Sequence, residues 1–242
     1  MASFGAFLSR QFFGVLPEPK HDLTGQTVIV TGSNVGLGKE AARHFVRLGA
    51  STVILAVRTV SKGEAAKADI EKSEGKSGVL QVWPLNMSSY ESVIEFAARA
   101  QKELERIDIA VLNAGIVTAK WNVHEQDEST ITVNVVSTFL LALSLFPKMS
   151  ETASKFNKRP TLTLVTSDVH YRAKFVEGQA PEGKLFEALN KKPEPLTEGA
   201  MMERYQVSKL LDLLGTRAIA DRKSAALSPV TVNCVSPGLC HS

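Results

Sequence analysis

Six short apolar runs, separated by stretches of helical period, restrict what this chain can fold into more than any other feature. They are TVIVTG (27–32), STVILAV (51–57), VLQVWPL (79–85), IDIAVLNAG (107–115), PTLTLVTS (160–167) and SPVTVNCVS (228–236). Between them the apolar period predicts helices over KEAARHFVRLG, SKGEAAKADIEKSEG and about 88–105, 125–149 and 201–222. A strand that is Val, Ile and Leu on both faces needs cover on both faces, and parallel strands joined by helices provide it. The expected fold class is therefore α/β: a single-domain, doubly wound parallel sheet with helices on both faces. At 242 residues there is enough chain for one such domain with a full core. We place it at 23–242, behind an N-terminal extension of 1–22. A long loop, 168–200, carries three prolines and three glycines and a short helical pattern near 184–190. Ordered loops of that length usually wall a binding site.

The extension holds Phe4, Phe7, Leu8, Phe12 and Phe13, interrupted by Arg10 and Gln11. That run is too short to span a bilayer and lacks a convincing signal-peptide cleavage site. It reads either as a helix lying on a membrane surface or as a segment packed on its own domain, and we favour the second. No transmembrane segment is expected elsewhere. The net charge of +3 comes from interspersed residues without a basic tract, which argues against nucleic acid as a partner. Cys234 and Cys240 make no disulfide framework and suit a reducing, cytoplasmic setting. His21, His44, His124, His170 and His241 are scattered, so no metal site is expected.

Two local patterns carry chemistry. In TVIVTGSNVGLGKEAARHF, Gly32, Gly36 and Gly38 fall where a strand turns into a helix. Glycines there allow a tight turn and let backbone N–H groups approach a pyrophosphate at the positive end of the helix. In MMERYQVSKLLDLL, Tyr205 and Lys209 lie one helical turn apart on a common side. An ammonium about 4 Å from a phenol, at an effective dielectric near 20, favours the phenolate by roughly 4 kcal/mol before desolvation. Chance produces such a pair often in a chain this long, so alone it decides nothing.

Together the T-G-x-x-x-G-x-G turn and Y-x-x-x-K resemble the short-chain dehydrogenase/reductase family. LNAG (112–115) is similar to that family's N-N-A-G, with Leu112 in place of the first asparagine. Asn134 matches its helix asparagine, Ser167 its catalytic serine, and SPG (236–238) its Pro-Gly turn. The motifs follow family order from about residue 24 to the end. The G-L-G-K-E turn, LAVR, the long insertion and RYQVSKLLDLL further resemble retinol-dehydrogenase-like enzymes and fungal tailoring ketoreductases.

The resemblance implies a Rossmann-type domain that moves a hydride between a nicotinamide and the carbonyl or alcohol of an apolar small molecule, as in secondary metabolism. It casts Tyr205 as general acid or base. Lys209 would lower the phenol's pKa and hold the nicotinamide ribose. Ser167 would donate to the carbonyl oxygen, and Asn134 would anchor a water that relays protons to Lys209. It assigns cofactor contacts to Gly32, Ser33, Asn34, Gly36, Leu37, Gly38, Asn113, Ala114, Gly115, Pro237, Gly238 and Ser242, and an adenine contact to Asn86. At the end of the second strand Val57 stands where NAD-specific relatives carry an acid, and Arg58 follows. Arg58 suits a 2′-phosphate, with Lys39 and Ser33 assisting, so the expected cofactor is NADP(H). Asp168, His170 and Tyr171 are candidates to line the substrate pocket, with no catalytic role for His170. The alternative is an NADP-binding scaffold or redox sensor without catalysis, against which the intact Asn134, Ser167, Tyr205 and Lys209 set argues. Relatives continue past the Pro-Gly turn. SPVTVNCVS is therefore expected as an edge strand, apolar at Val230, Val232 and Cys234, in a shortened form of a longer protein or covered by a homodimer partner or the N-terminal segment.

Overall fold

The computed structural model describes Phe13 and residues 19–222, 228–238 and 240. Six strands, β1 (Thr27–Thr31), β2 (Thr52–Val57), β3 (Leu80–Pro84), β4 (Ile109–Leu112), β7 (Thr161–Val165) and β8 (Thr231–Val235), form one parallel sheet in the order β3-β2-β1-β4-β7-β8. A two-residue antiparallel hairpin, β5 (Val123–His124) and β6 (Asp127–Glu128), stands apart from it. The chain runs outward from β1 to β3, then crosses back to β4 and outward the other way. That reversal opens a crevice beyond the C-terminal ends of β1 and β4, where α/β sheets bind ligands.

The helices are α1 (Gly36–Arg47), α2 (Val60–Glu74), α3 (Tyr90–Glu103), α4 (Ser129–Phe156), α5 (Leu185–Leu189) and α6 (Glu198–Arg222). Alternation along the strands sends successive side chains to opposite faces. Val28, Val30, Val53 and Leu55 pack with Ala42 and Val46 of α1 and Ile70 of α2. Ile29, Ile54 and Ala110 pack with Phe96 of α3 and Leu141 and Leu145 of α4. Both faces of the sheet are buried, as the unbroken apolar runs require.

Local chemistry moves several expected boundaries. The predicted helix at 125–149 begins later, because 123–128 close the β5–β6 hairpin with Glu125 at φ 56. Glu128 caps α4 by accepting from Thr130 N and Ile131 N, and the helix then runs on to Phe156. By length and composition α4 could cross a membrane, yet most of its apolar stretch is buried within the domain. We assign α4 as a core helix. The strand predicted at 107–115 stops at Leu112, because the amides of Asn113 and Ala114 turn to Thr31 Oγ1.

The 168–200 insertion folds against the domain. It forms 3-10 turns at Asp168–Arg172 and Val176–Gln179 and then α5. Fully buried Leu189 packs with Ile131, Val135 and Val207. Asn190 Oδ1 accepts from Glu128 N, and a buried Arg204–Glu177 pair at 2.9 Å ties the segment to α6. On the far side β8 pairs only with β7 among the described residues. An apolar cleft of about 510 Å³, walled by Phe139, Leu143, Phe146, Ile219 and Val232, runs beside that edge. Val230 is buried there, while Val232 and Cys234 pack partly against the core. The N-terminal extension, Phe13 and residues 19–22 aside, lies outside the described residues.

Candidate active site

Beyond the strand ends lie two adjoining clefts. The larger, about 490 Å³, is bounded by the β1–α1 turn, the 113–117 segment, Ser167, Tyr205, Lys209 and the Pro237–Gly238 turn. The smaller, about 190 Å³, shares Gly32, Asn34, Ala114 and Gly115 and extends to Arg58, Asn86 and Met87.

The turn's geometry explains its glycines. Gly32 and Gly36 take φ 66 and φ 53, left-handed values that side chains disfavour. Gly38 has another reason. A Cβ there would lie 2.5 Å from Asn113 Nδ2 and 2.5 Å from Gly32 O. Asn113 fills that space, donating through Nδ2 to Thr31 O at 3.0 Å and Gly32 O at 3.3 Å. Thr31 Oγ1 returns the contact by accepting from Asn113 N and Ala114 N. This lattice locks the end of β4 onto the end of β1. The start of α1 has no side-chain cap and no acid in its first turn. Its first amides, like those at any helix start, have no intrahelical partner and suit an anion. The residues therefore fit a bound dinucleotide phosphate.

Two expected phosphate ligands are spoken for. Ser33 is fully buried and its hydroxyl donates to Val30 O at 2.9 Å, so its side chain serves the turn. Lys39 pairs with Asp69 of α2 at 2.8 Å. Hydrogen bonds from Lys39 and then Arg43 hold the Asp69 carboxyl down at about 2. Arg58 is exposed on the smaller cleft beside half-buried Asn86, whose Oδ1 accepts from Ser88 N.

Asn134 sits in a π-helical turn of α4, Thr132–Val136, a distortion that collects at functional sites. It is fully buried. Its Oδ1 accepts from Ile116 N at 2.8 Å, and its Nδ2 donates to Ile116 O and Ser208 Oγ, each at 3.0 Å. Both amide hydrogens are thus committed to protein. Through these bonds the Asn134 side chain clamps the 115–117 segment to α4 and α6. A methyl on Gly115 would sit 3.3 Å from Asn134 Oδ1 and 3.7 Å from Lys209 Nζ, which shows how tightly the three meet.

Tyr205 is half-buried on the wall of the larger cleft, with Ser167 across from β7. Lys209 Nζ does not direct its hydrogen bonds to the phenol. It donates to Val165 O and to Asp212 Oδ2, each at 3.0 Å. The long side chain reaches across to the end of β7, and Thr166 Oγ1 answers by donating to Lys209 O. Asp212 is 1% exposed, and burial raises its carboxyl to about 6 against the opposing pull of Lys209. It was not among the candidates from sequence. The signal was an acid three residues after the lysine, a spacing at which helical side chains pair.

The residues after Ser167 leave the pocket. Ser167 caps the 3-10 turn at 168–172, His170 Nδ1 contacts Ser167 O at 2.7 Å, and Tyr171 is 83% exposed with its ring against that of His170. Asp168, His170 and Tyr171 therefore do not line the cleft, contrary to expectation, because the chain tightens into a turn at once. Pro237 and Gly238, the latter at φ 77, close the cleft beside Cys240. Ser242 and His241 lie outside the described residues. Among the described residues no three His, Cys, Asp or Glu side chains gather as metal ligands do.

Comparison with known proteins gives concordant results. A family model described as short chain dehydrogenase matches residues 26–155. A short chain dehydrogenase/reductase of Cryptosporiopsis sp. is 52% identical over 237 residues, which cover 98% of this chain and 72% of that protein. A short chain dehydrogenase of Emericella nidulans is 46% identical over 243 residues, covering 98% and 75% respectively. A solved short chain dehydrogenase of Escherichia coli CFT073, described as complexed with NADPH, matches with a TM-score of 0.65 at 25% identity, covering 91% of this chain and 80% of the other.

Proposed function

The chain belongs to the short-chain dehydrogenase/reductase family, and on that premise we propose that it is an NADP(H)-dependent reductase of a ketone or aldehyde on an apolar small molecule. The observation that carries this reading is the convergence of Ser167, Tyr205 and Lys209 on one cleft beside the glycine turn. A bound nicotinamide would supply or accept the hydride.

Reduction leaves negative charge on the carbonyl oxygen, so the protein must deliver a proton and a hydrogen bond there. Tyr205 Oη gives the proton, and it takes one back in the oxidative direction. Ser167 Oγ donates to the same oxygen and fixes its place. Lys209 supplies positive charge behind the phenol. Asn134 acts as a positioning residue, keeping the 115–117 wall and α6 in register. Val35, Ile116 and Val117 give the cleft the apolar lining that an aromatic or aliphatic carbonyl compound would need. Similarity to the fungal reductases supports a secondary metabolite as substrate.

For the cofactor, Asn34 and the Gly32–Gly38 turn would hold the pyrophosphate, Asn86 the adenine edge and Arg58 the 2′-phosphate. The Ser33 hydroxyl is engaged by Val30 O, and Lys39 would assist Arg58 by exchanging its partner Asp69 for the phosphate. The absence of an acid at Val57 and the NADPH complex of the solved relative support the choice.

NADPH consumption against a panel of ketones and aldehydes tests the proposal, with Tyr205→Phe as the decisive variant. We expect turnover for at least one apolar carbonyl and a fall of roughly 10²-fold or more in kcat for the variant, with NADPH binding nearly intact. Activity within a few-fold of wild type would remove Tyr205 from its role. NADPH binding with no turnover across the panel would favour a non-catalytic binding protein.

A further inference from the structure

Behind Lys209 stands a carboxylate that the reaction above does not use. Asp212 lies one turn further along α6, its Oδ2 3.0 Å from Lys209 Nζ, and only 1% of it is exposed. Its other oxygen, Oδ1, is buried without a hydrogen-bond partner. Lys209 is itself 6% exposed, held between Asp212 Oδ2 and Val165 O. We propose that Asp212 is a positioning residue that sets how much positive charge Lys209 presents to Tyr205. Ionised, it holds the ammonium toward β7 and offsets its field; protonated, it leaves the full charge behind the phenol. The inference rests on the reading of Tyr205 as the proton donor.

Three features support it. An ionised carboxylate has about four acceptor sites, and here it receives a single charged donor, so the anion is poorly compensated. Desolvation outweighs Lys209 and raises the Asp212 carboxyl to about 6, so that its charge changes within the range where such reactions are assayed. Tyr205 and Lys209 stand one helical turn apart and line the same cleft, so a change of charge on the partner of Lys209 acts on the phenol by way of Lys209.

The surroundings hold few competing charges. Cys234 on β8 feels the Asp212 charge, and its thiol is raised chiefly by burial and secondarily by Asp212. The π turn of α4 presents neutral Asn134, held to neutral Ser208. β7 presents Val165 O and Thr166. The charged 168–172 segment and Lys174 meet α6 nearer its start, where Glu203 accepts from Lys174 N.

The experiment is an absorbance titration of tyrosinate in the cofactor-free chain, beside kcat–pH profiles for reduction and alcohol oxidation. Three tyrosines are present, and subtraction of a Tyr205→Phe background isolates the Tyr205 step. Tyr90 is pushed up to about 12, by burial first and then by Asp127, and stays out of the way. Asp212→Asn keeps the shape and removes the charge. It should lower the Tyr205 titration, and with it the alkaline limb of reduction and the rise of oxidation, by about one pH unit. Asp212→Glu keeps the charge and should leave all three near wild type; if the Asn variant fails to fold, Asp212→Ser, which also removes the charge, carries the test and should move the Tyr205 titration in the same direction. A Tyr205 titration that is identical in wild type and in the variants without the charge overturns the inference, leaving Asp212 with a structural role only. Should Tyr205→Phe retain activity, the fault lies instead with the reading of Tyr205.

Discussion

Substituting Gly38 by alanine tests whether the glycine turn is held by its lattice or merely tolerated. Inside a helix, alanine is favoured over glycine by about 1 kcal/mol, so propensity alone predicts stabilisation. The structure predicts the opposite. The new methyl would meet Asn113 Nδ2 at 2.5 Å and Gly32 O at 2.5 Å, with Gly32 C at 3.0 Å. Two of those three atoms are backbone, and the third belongs to the side chain that clamps them. Forcing a methyl into packed space costs about 1–3 kcal/mol. Displacing Asn113 also gives up its bonds to Thr31 O and Gly32 O, at about 1 kcal/mol each. After subtracting the helical gain, the net loss is about 2–4 kcal/mol. For a domain of this size that lowers Tm by roughly 5–15 °C. Gly75→Ala is the control. It ends α2 at φ 62 with nothing within 4 Å of the added carbon, so only the left-handed backbone strain applies, about 1 kcal/mol. Scanning calorimetry on both variants, with NADPH titrated by fluorescence, separates the effects. A Gly38→Ala protein that melts at or above wild type would refute the reasoning and show that Asn113 yields freely.

Arg58→Ala should weaken NADPH far more than NADH, because only NADPH carries the 2′-phosphate that the guanidinium would pair with. Equal changes for both cofactors in parallel titrations would place the discrimination elsewhere. Asp212 also predicts a pH dependence of stability: its folded-state carboxyl is raised from 3.8 to about 6, so folding favours the neutral form. The resulting stability, about 3 kcal/mol, is complete below about pH 4 and lost as pH rises through about 6. Asp212→Asn lacks this loss, so its Tm relative to wild type should improve between about pH 4 and pH 7. A relative Tm that moves the other way would show that the Lys209 pair outweighs burial.

What the sequence determined by itself was whatever depends on local period and backbone conformation. Runs such as TVIVTG and STVILAV are apolar on both faces and admit only a sheet covered on both sides, which the two core clusters confirm. Gly32 and Gly36 mark left-handed positions because few other residues accept them. The spacing of the motifs brought Ser167, Tyr205 and Lys209 to a common cleft on family resemblance alone. Tertiary structure decided which partner each side chain takes. Lys39 reads as a phosphate ligand, and the fold brings Asp69 of α2 against it. Asn134 spends both amide hydrogens on Ile116 and Ser208, residues far along the chain. Lys209 reaches Val165 O on β7, and the carboxyl of Asp212, one turn along the same helix, shifts because neighbouring elements exclude water from it. A hydrogen bond or a desolvation is a matter of a few tenths of an ångström between elements distant in sequence. Periodicity carries no information about that distance, and only the packed sheet and helices set it.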